Sequence, residues 1–388
     1  MSALRNYLNK IKPSFEEGGK LHALRSVYDG FDTFLYVPNN TAKSGTNIHD
    51  AIDSKRIMSI VVIALIPALL FGMYNLGYQN YAAAGKLAEA GFFDMFLFGF
   101  LALLPKILVS YIVGLGIEFA WAQWKNEEIQ EGYLVSGILI PLILPIGCPL
   151  WAMVIAIAFA VIIGKEIFGG TGMNIFNVAL LTRAFLFFSY PTMMSGNSVW
   201  VPNESIFGLG NTLPDTFTCA TPLGEVAAGT FGNMSPMEMA IGLIPGSVGE
   251  TSVIAIAIGA IILLVSGVAS WRTMASVFVG GALTAVLFSA LDMTPIAWYE
   301  HLMLGGFCFG AVFMATDPVT SARTIPGQFI FGLIIGIMAV LVRVMNPGYP
   351  EGMMLAILFA NMFAPLIDYC VVQRNINKRM NRLTQNNK

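Results

Sequence analysis

Ten runs of apolar residues divide the chain into candidate membrane-crossing segments. They lie at about 57–74, 96–121, 133–144, 150–163, 175–190, 253–268, 274–291, 303–315, 328–344 and 353–372. Several are shorter than the about 20 residues that a helix needs to cross a bilayer. The two shortest precede Pro145 and Pro318, so we expect broken or half-length helices whose ends stay buried in protein. The pattern predicts an all-α polytopic membrane protein with about ten transmembrane helices.

The spacing of glycine and proline suggests that these runs form two related halves. The same separations occur in Gly132, Gly137 and Pro145 and in Gly305, Gly310 and Pro318. Each trio belongs to the third run of a set of five. Because five is an odd number of crossings, the second set must enter the membrane from the opposite side. We therefore expect two inverted five-helix repeats with the working site near their interface, a chance match being the alternative.

Positive charges assign the segments to the two sides of the membrane. Residues 1–56 carry eight Lys or Arg and residues 373–388 carry five, whereas 191–252 carry none. The excess of positive charge on cytoplasmic segments places both termini in the cytoplasm and 191–252 outside. The predicted organisation is a cytoplasmic arm (1–56), a first repeat (57–190), an outer loop (191–252), a second repeat (253–372) and a basic tail (373–388).

Composition supports a membrane protein and excludes several other classes. Of the 388 residues, 56% are apolar and 11% are charged, against about 25% charged in a typical soluble domain. The net charge of −2 gives no basic field for nucleic acid. The four cysteines contain no C-x-x-C pair, so no zinc or iron–sulfur site is predicted from this chain alone. No G-x-G-x-x-G opens a strand–helix unit, so a dinucleotide must bind elsewhere.

The outer loop contains a short stretch rich in hydroxyl side chains. Residues 215–222 read Asp-Thr-Phe-Thr-Cys-Ala-Thr-Pro, and Pro214 and Pro222 keep this stretch out of a helix. By chemistry alone it is either an ordinary polar turn or a site that a modifying enzyme can reach.

Three separated stretches closely resemble the B subunits of bacterial sodium-translocating NADH:quinone oxidoreductases. They are Gly164–Asn177 with the following Arg183-Ala-Phe-Leu-Phe-Phe, Ala315–Val319, and Asn346–Asp368. A more distant similarity is to the D subunits of ferredoxin-linked Rnf complexes. The resemblance spans essentially the whole chain and implies a multi-pass protein of the bacterial inner membrane with 191–252 in the periplasm.

The resemblance also implies a covalent cofactor. In that family a flavin transferase moves FMN from FAD onto a threonine in the motif Asp-x-x-Ser/Thr-Gly-Ala-Thr, making a phosphoester. Asp215, Thr218 and Thr221 match this motif, with Cys219 in place of glycine. The match implies FMN on Thr221. Cysteine is bulkier than glycine and excludes a backbone conformation that only glycine adopts.

An electron path and partners are implied in the same way. Electrons from NADH would enter at another subunit, pass iron and covalent FMN on neighbouring subunits, reach the FMN and a non-covalent riboflavin of this chain, and reduce ubiquinone while sodium moves outward. The implied partners are the A, C, D, E and F members of a six-subunit complex, the flavin transferase and membrane lipid. The chain would be inactive alone. A passive channel or transporter on the same scaffold is the alternative, as is an Rnf-type D subunit.

Polar side chains near the apolar runs supply further candidates. Asn174 and Asn177 end a glycine-rich stretch, and their amides can donate to and accept from a flavin edge; tight helix packing is the alternative for the glycines. Arg183 either contacts a flavin or phosphate or extends its charge to the membrane surface.

Carboxylates near the runs need a cation, water or a partner. Asp368, Glu131 and Asp317 are candidates for a sodium path or for shaping the quinone or flavin site, because sodium is a hard cation that prefers oxygen ligands. Glu118, Glu166 and Glu351 lie near run ends, and we expect them at the membrane interface.

Overall fold

The structure, a computed structural model, describes residues 3–386 except 17–18, 20, 22–23, 37–53, 126–131, 197–198, 215–218, 231, 233–234, 347 and 349–350. Within these residues the chain is helical, and Ile206 and Leu209 form its one β-type bridge. The prediction of an all-α protein is therefore confirmed.

Within the described ranges, sixteen α-helices follow one another along the chain. They are α1 (Ala3–Ile11), α2 (Arg25–Leu35), α3 (Ser54–Ala83), α4 (Phe92–Lys125), α5 (Tyr133–Ile143), α6 (Leu150–Gly164), α7 (Val178–Ser189), α8 (Pro191–Met194), α9 (Pro222–Ala228), α10 (Pro236–Ile241), α11 (Val253–Val265), α12 (Trp271–Ala290), α13 (Trp298–Met303), α14 (Phe307–Phe309), α15 (Ile325–Met345) and α16 (Met353–Asn386). Short 3₁₀ turns occupy Lys12–Ser14 and Glu166–Phe168, and a π-helix at Gly310–Met314 continues α14.

Six helices in the described part of the chain are long and apolar enough to cross a membrane. They are α3, α4, α6 with its following turn, α12, α15 and α16. Three shorter apolar helices, α5, α7 and α11, lie among them. Each of the ten predicted runs overlaps a helix, with the run at 303–315 forming α14 and its π-helical continuation. The polytopic membrane class is confirmed, and the pairing of ten segments into inverted repeats stays a prediction.

The short helix α5 ends inside the bundle, and a buried lysine satisfies the carbonyl groups beyond its end. Nζ of Lys106, in α4, donates to the carbonyl oxygens of Pro145 at 2.8 Å and Cys148 at 2.9 Å. A helix end leaves carbonyl groups without partners, and a buried carbonyl group without a hydrogen bond is costly. Lys106 therefore stabilises the turn that joins α5 to α6.

Small residues let α12 and α15 lie against each other. A Cβ atom added at Gly280 would lie 2.7 Å from the carbonyl oxygen of Leu333, closer than real Cβ contacts. Such close approach is typical of membrane helices, whose association depends on packing rather than on the exclusion of water.

The long loop between α7 and α11 is held on the bundle by a small apolar core. Leu223 of α9 and Met239 of α10 pack with Ile244, Ile296 and Leu304. We call the end of the bundle that carries this loop the loop end and the opposite end, where α7 begins, the cavity end. The 12 residues of α7 separate its two ends by about 18 Å, at 1.5 Å per residue.

Candidate functional site

Thr221, the predicted attachment residue, is the N-cap of α9. Its backbone is extended (φ −72°, ψ 153°), and its Oγ1 accepts a hydrogen bond from the Gly224 amide at 3.1 Å. Pro222 takes the first helical position, where its fixed φ suits a helix and its missing N–H costs nothing. Thr221 is half-buried, and no described residue accepts its hydroxyl hydrogen. The hydroxyl is therefore positioned as an acceptor whose hydrogen is open to replacement.

Cys219, which replaces the glycine of the family motif, lies two residues before Thr221. Cys219 does not have a positive φ, so a cysteine stands where the family motif has glycine without left-handed strain. Burial, with a smaller contribution from Glu225, raises the pKa of the Cys219 thiol. Asp215 and Thr218, the other predicted motif residues, lie outside the described residues.

Arg183 is buried in the bundle, where it pairs with two carboxylates. Its Nη1 donates to Glu250 Oε1 at 2.8 Å, and its Nη2 donates to Glu351 Oε2. The side chains of Arg183 and Glu250 are 5% and 8% exposed. Of the two roles left open for Arg183, extension of its charge to the membrane surface does not fit, because the guanidinium group is enclosed by protein. Glu351, which we expected at the membrane interface, directs its carboxylate to Arg183, and its side chain is 20% exposed.

A second buried arginine holds the turn that leads into α14. Arg343 of α15 donates to the carbonyl oxygens of His301 and Leu304 and, at 3.4 Å, to that of Glu351. Arg343 is 5% exposed. The two arginines and two glutamates join α7, α15 and the starts of α11 and α16 into one polar network, which we call the arginine network (Arg183, Glu250, Glu351 and Arg343).

A cavity of about 70 Å³ lies at the other end of α7 and brings several predicted residues together. Asn174, Asn177 and Asp317 line it, as do Lys165 and Thr171. Gly169, Gly170 and Gly172 have positive φ values in the turn beside it, so the glycine-rich stretch forms a tight turn here.

Asn177 connects the two halves of the chain across this cavity. Its Nδ2 donates to Asp317 Oδ2 at 3.0 Å, and its Oδ1 accepts from the amides of Ala179 and Leu180 as the N-cap of α7. Asp317 Oδ1 also accepts from the Val319 amide at 3.0 Å. The side-chain oxygen of Asn177 therefore caps the start of α7, and one N–H of its side-chain amide positions the Asp317 carboxylate.

Asn174 is less committed to the protein than Asn177. Its Nδ2 donates to the carbonyl oxygen of Phe176 at 3.0 Å, and no described residue donates to its Oδ1. Of the two predicted flavin-binding amides, Asn174 thus has more capacity to bind a ligand in the cavity.

Of the other predicted sodium-path residues, Asp368 stabilises the start of α15. Its carboxylate accepts from the Arg323 amide at 2.7 Å, the Thr324 amide at 3.0 Å and the Thr324 hydroxyl. The structure therefore shows Asp368 holding Thr324, the N-cap of α15, in place, and Asp368 is not among the residues that line the cavity. Glu131 lies outside the described residues.

Two other carboxylates that we expected at the membrane interface are buried. Glu118 of α4 pairs with Lys165, and both side chains are 4% exposed. Glu166 is 8% exposed. Because Lys165 also lines the cavity, its pairing with Glu118 balances a positive charge close to Asp317.

Known proteins are similar to this chain over nearly its whole length. Residues 41–377 match the family described as the NQR2, RnfD, RnfE family. The chain belongs to this family. Relatives similar over 98% of this chain include the B subunits of Na(+)-translocating NADH-quinone reductase from Chromohalobacter salexigens, at 46% identity over 96% of that protein, and from Ectopseudomonas mendocina, at 43% over 99%. A Klebsiella pneumoniae protein of the same description is 43% identical over 99% of its length.

Among the described residues, several buried charges were not anticipated from the sequence, including those of Lys106, Glu250 and Arg343. Lys106 and Arg343 lie within apolar runs, and Glu250 is the last charged residue before one. A charge within or beside an apolar run is itself a signal, since its burial requires a partner. The sequence does not indicate which partner, because each partner lies far away along the chain.

Proposed function

We propose that this chain is the membrane subunit of a respiratory complex that transfers electrons from NADH to ubiquinone and exports sodium. Relatives that match nearly the full length carry the name of the B subunit of a Na(+)-translocating NADH-quinone reductase. The observation that supports flavin chemistry is the Thr221 hydroxyl. Its oxygen caps α9, and no described residue accepts its hydrogen. A passive channel has no use for such an attachment residue.

Thr221 would hold FMN through a phosphoester. Its Oγ1 would bond to the phosphorus of the FMN half of FAD, AMP would leave, and the hydroxyl proton would pass to a base on the transferase. The ester oxygen keeps a lone pair, so it can still accept from Gly224. The flavin supplies one- and two-electron transfer when bound, while the protein positions it.

The cavity at the other end of α7 is the candidate site for non-covalent riboflavin. Its lining offers the amide oxygen of Asn174 and the carboxylate of Asp317 to the edge of a ring. At about 70 Å³ it is smaller than the roughly 150 Å³ that holds a benzene ring. Only an edge of an isoalloxazine would enter it, with the rest lying outside the enclosed space.

The partners and placement of the chain follow from the same proposal. NADH would be oxidised on another subunit, a second subunit would carry its own covalent FMN, and six subunits would assemble in the bacterial inner membrane. The loop end would face the periplasm and both termini the cytoplasm, as the distribution of Lys and Arg predicts.

Sodium dependence tests this function at Asp317. A carboxylate attracts a cation in a low-dielectric site far more strongly than an amide does, so Asp317→Asn should raise the sodium concentration for half-maximal quinone reduction on the order of ten- to a hundredfold. Quinone reduction is measured across a sodium series and normalised to covalent flavin.

Asp368→Asn is the comparison for that experiment. If Asp368 belongs to the sodium path, its curve shifts as well. If Asp368 only positions Thr324 at the start of α15, less complex assembles and the sodium curve of the remainder is unchanged. Sodium curves of both variants that match the parent would remove both residues from the ion path.

A further inference from the structure

The flavin-bearing helix α9 rests on a glycine turn that the arginine network holds in place. Leu223, two residues after Thr221, is 2% exposed. A Cβ atom at Gly305 would overlap its Cδ1 atom, and the same Cβ would lie 3.6 Å from Nη2 of Arg343. Gly305 has φ +65°, in the left-handed region that favours glycine. Both its conformation and its space therefore exclude a larger residue.

The neighbouring glycine contacts the other side of the network. A Cβ atom at Gly306 would lie 2.7 Å from Oε1 and 3.0 Å from Oε2 of Glu250, which pairs with Arg183. Arg343 meanwhile donates to the carbonyl oxygens of His301 and Leu304, just before the two glycines. The turn is thus fixed by a carboxylate on one side and a guanidinium on the other.

The same network reaches the cavity through α7. Arg183 lies in the middle of α7, and Asn177 caps the start of that helix beside Asp317. The six-residue separation of Asn177 and Arg183 is about 9 Å at 1.5 Å per residue. One rigid helix therefore connects the support of α9 with the residues that line the cavity.

We propose that Gly305 and Gly306 form a seat for α9, and that Arg183, Glu250, Glu351 and Arg343 are positioning residues that fix this seat relative to the cavity. The inference rests on the proposed function, because its consequence for electron transfer requires a flavin on Thr221. The network sets where the attachment residue lies, and a small displacement of a reacting group costs a large factor in rate.

Gly305→Ala tests the seat, with Gly85→Ala as its matched control. Gly85 has φ +69° and no atom within 4 Å of an added Cβ, so this control introduces the same backbone strain without touching α9. The assembled complex is labelled with a membrane-impermeant maleimide in a Cys370→Ser background, and the label on this chain is read after electrophoresis. Cys219 is half-buried next to Thr221, whereas Cys148 and Cys308 are buried.

The seat predicts faster labelling of Cys219 in Gly305→Ala than in Gly85→Ala, with covalent flavin retained. Quinone reduction should fall on the order of tenfold, while NADH oxidation by an artificial acceptor is unchanged. Equal labelling and turnover in Gly305→Ala and Gly85→Ala would overturn the proposal.

Two further outcomes are separated by the design. If Gly305→Ala does not assemble, Leu223→Ala alone decides, since it removes the contact without strain: faster labelling of Cys219 supports the seat and unchanged labelling overturns it. If Thr221 proves to carry no flavin, the labelling rates still test the seat, and only the proposed cofactor fails.

Discussion

Replacing Thr221 with alanine is expected to remove covalent flavin from this chain and, with it, quinone reduction by the assembled complex. The phosphoester needs the hydroxyl oxygen, which alanine lacks. In-gel flavin fluorescence after denaturing electrophoresis measures attachment, and ubiquinone-dependent NADH oxidation measures turnover. Thr218→Ala should keep the flavin attached, since the family motif assigns the bond to the last threonine.

Two further variants separate attachment from helix capping at Thr221. Alanine also removes the N-cap of α9, which costs about 1 kcal/mol. Thr221→Asn keeps a good N-cap without a hydroxyl and should also lose the flavin, whereas Thr221→Ser keeps both groups and should retain it. Fluorescence that persists in Thr221→Asn would place the bond on another residue.

Arg183→Ala is expected to lower the stability of the helical bundle strongly. It leaves Glu250 buried without its ion-pair partner, and breaking a buried pair on one side typically costs about 3–5 kcal/mol. Arg183→Lys keeps the charge but loses the fixed pair of donor groups that reach Glu250 and Glu351. Its stability should therefore lie between those of the alanine variant and the parent. The amount of detergent-extracted complex and its thermal midpoint are the measurements.

The control for this prediction is Arg323→Ala, which removes an exposed arginine elsewhere in the chain. It should leave the midpoint nearly unchanged. Changing Glu250 to glutamine together with Arg183→Met should recover part of the lost stability, because the charges that remain in the network, on Glu351 and Arg343, then balance each other. A midpoint for Arg183→Ala equal to that of Arg323→Ala would mean that the pair contributes nothing.

The helices were predictable because they depend on local properties of the sequence. The lengths of the apolar runs indicated the membrane-crossing helices, and the short run before Pro145 forms the short helix α5. The glycine-rich stretch before α7 became a tight turn for a local reason too, since Gly169 and Gly172 adopt φ values that favour glycine.

The contacts of the site were not predictable because they join distant parts of the chain. Arg183 meets Glu250 and Glu351 across 67 and 168 residues, and Asn177 meets Asp317 across 140. A single sequence shows that each charge needs a partner and leaves the partner undetermined. The hydrogen bonds of Asp368 were not predictable for the same reason, since the amides it binds at 323 and 324 lie 45 and 44 residues away.

The most direct test of the central claim is the mass of the peptide that contains Thr221. Cleavage after glutamate gives the peptide 205–225, bounded by Glu204 and Glu225. In complex purified from cells that hold the flavin transferase, we predict a peptide heavier by FMN less one water, with fragment ions placing the addition on Thr221. An unmodified peptide from a complex that still reduces ubiquinone would contradict the account.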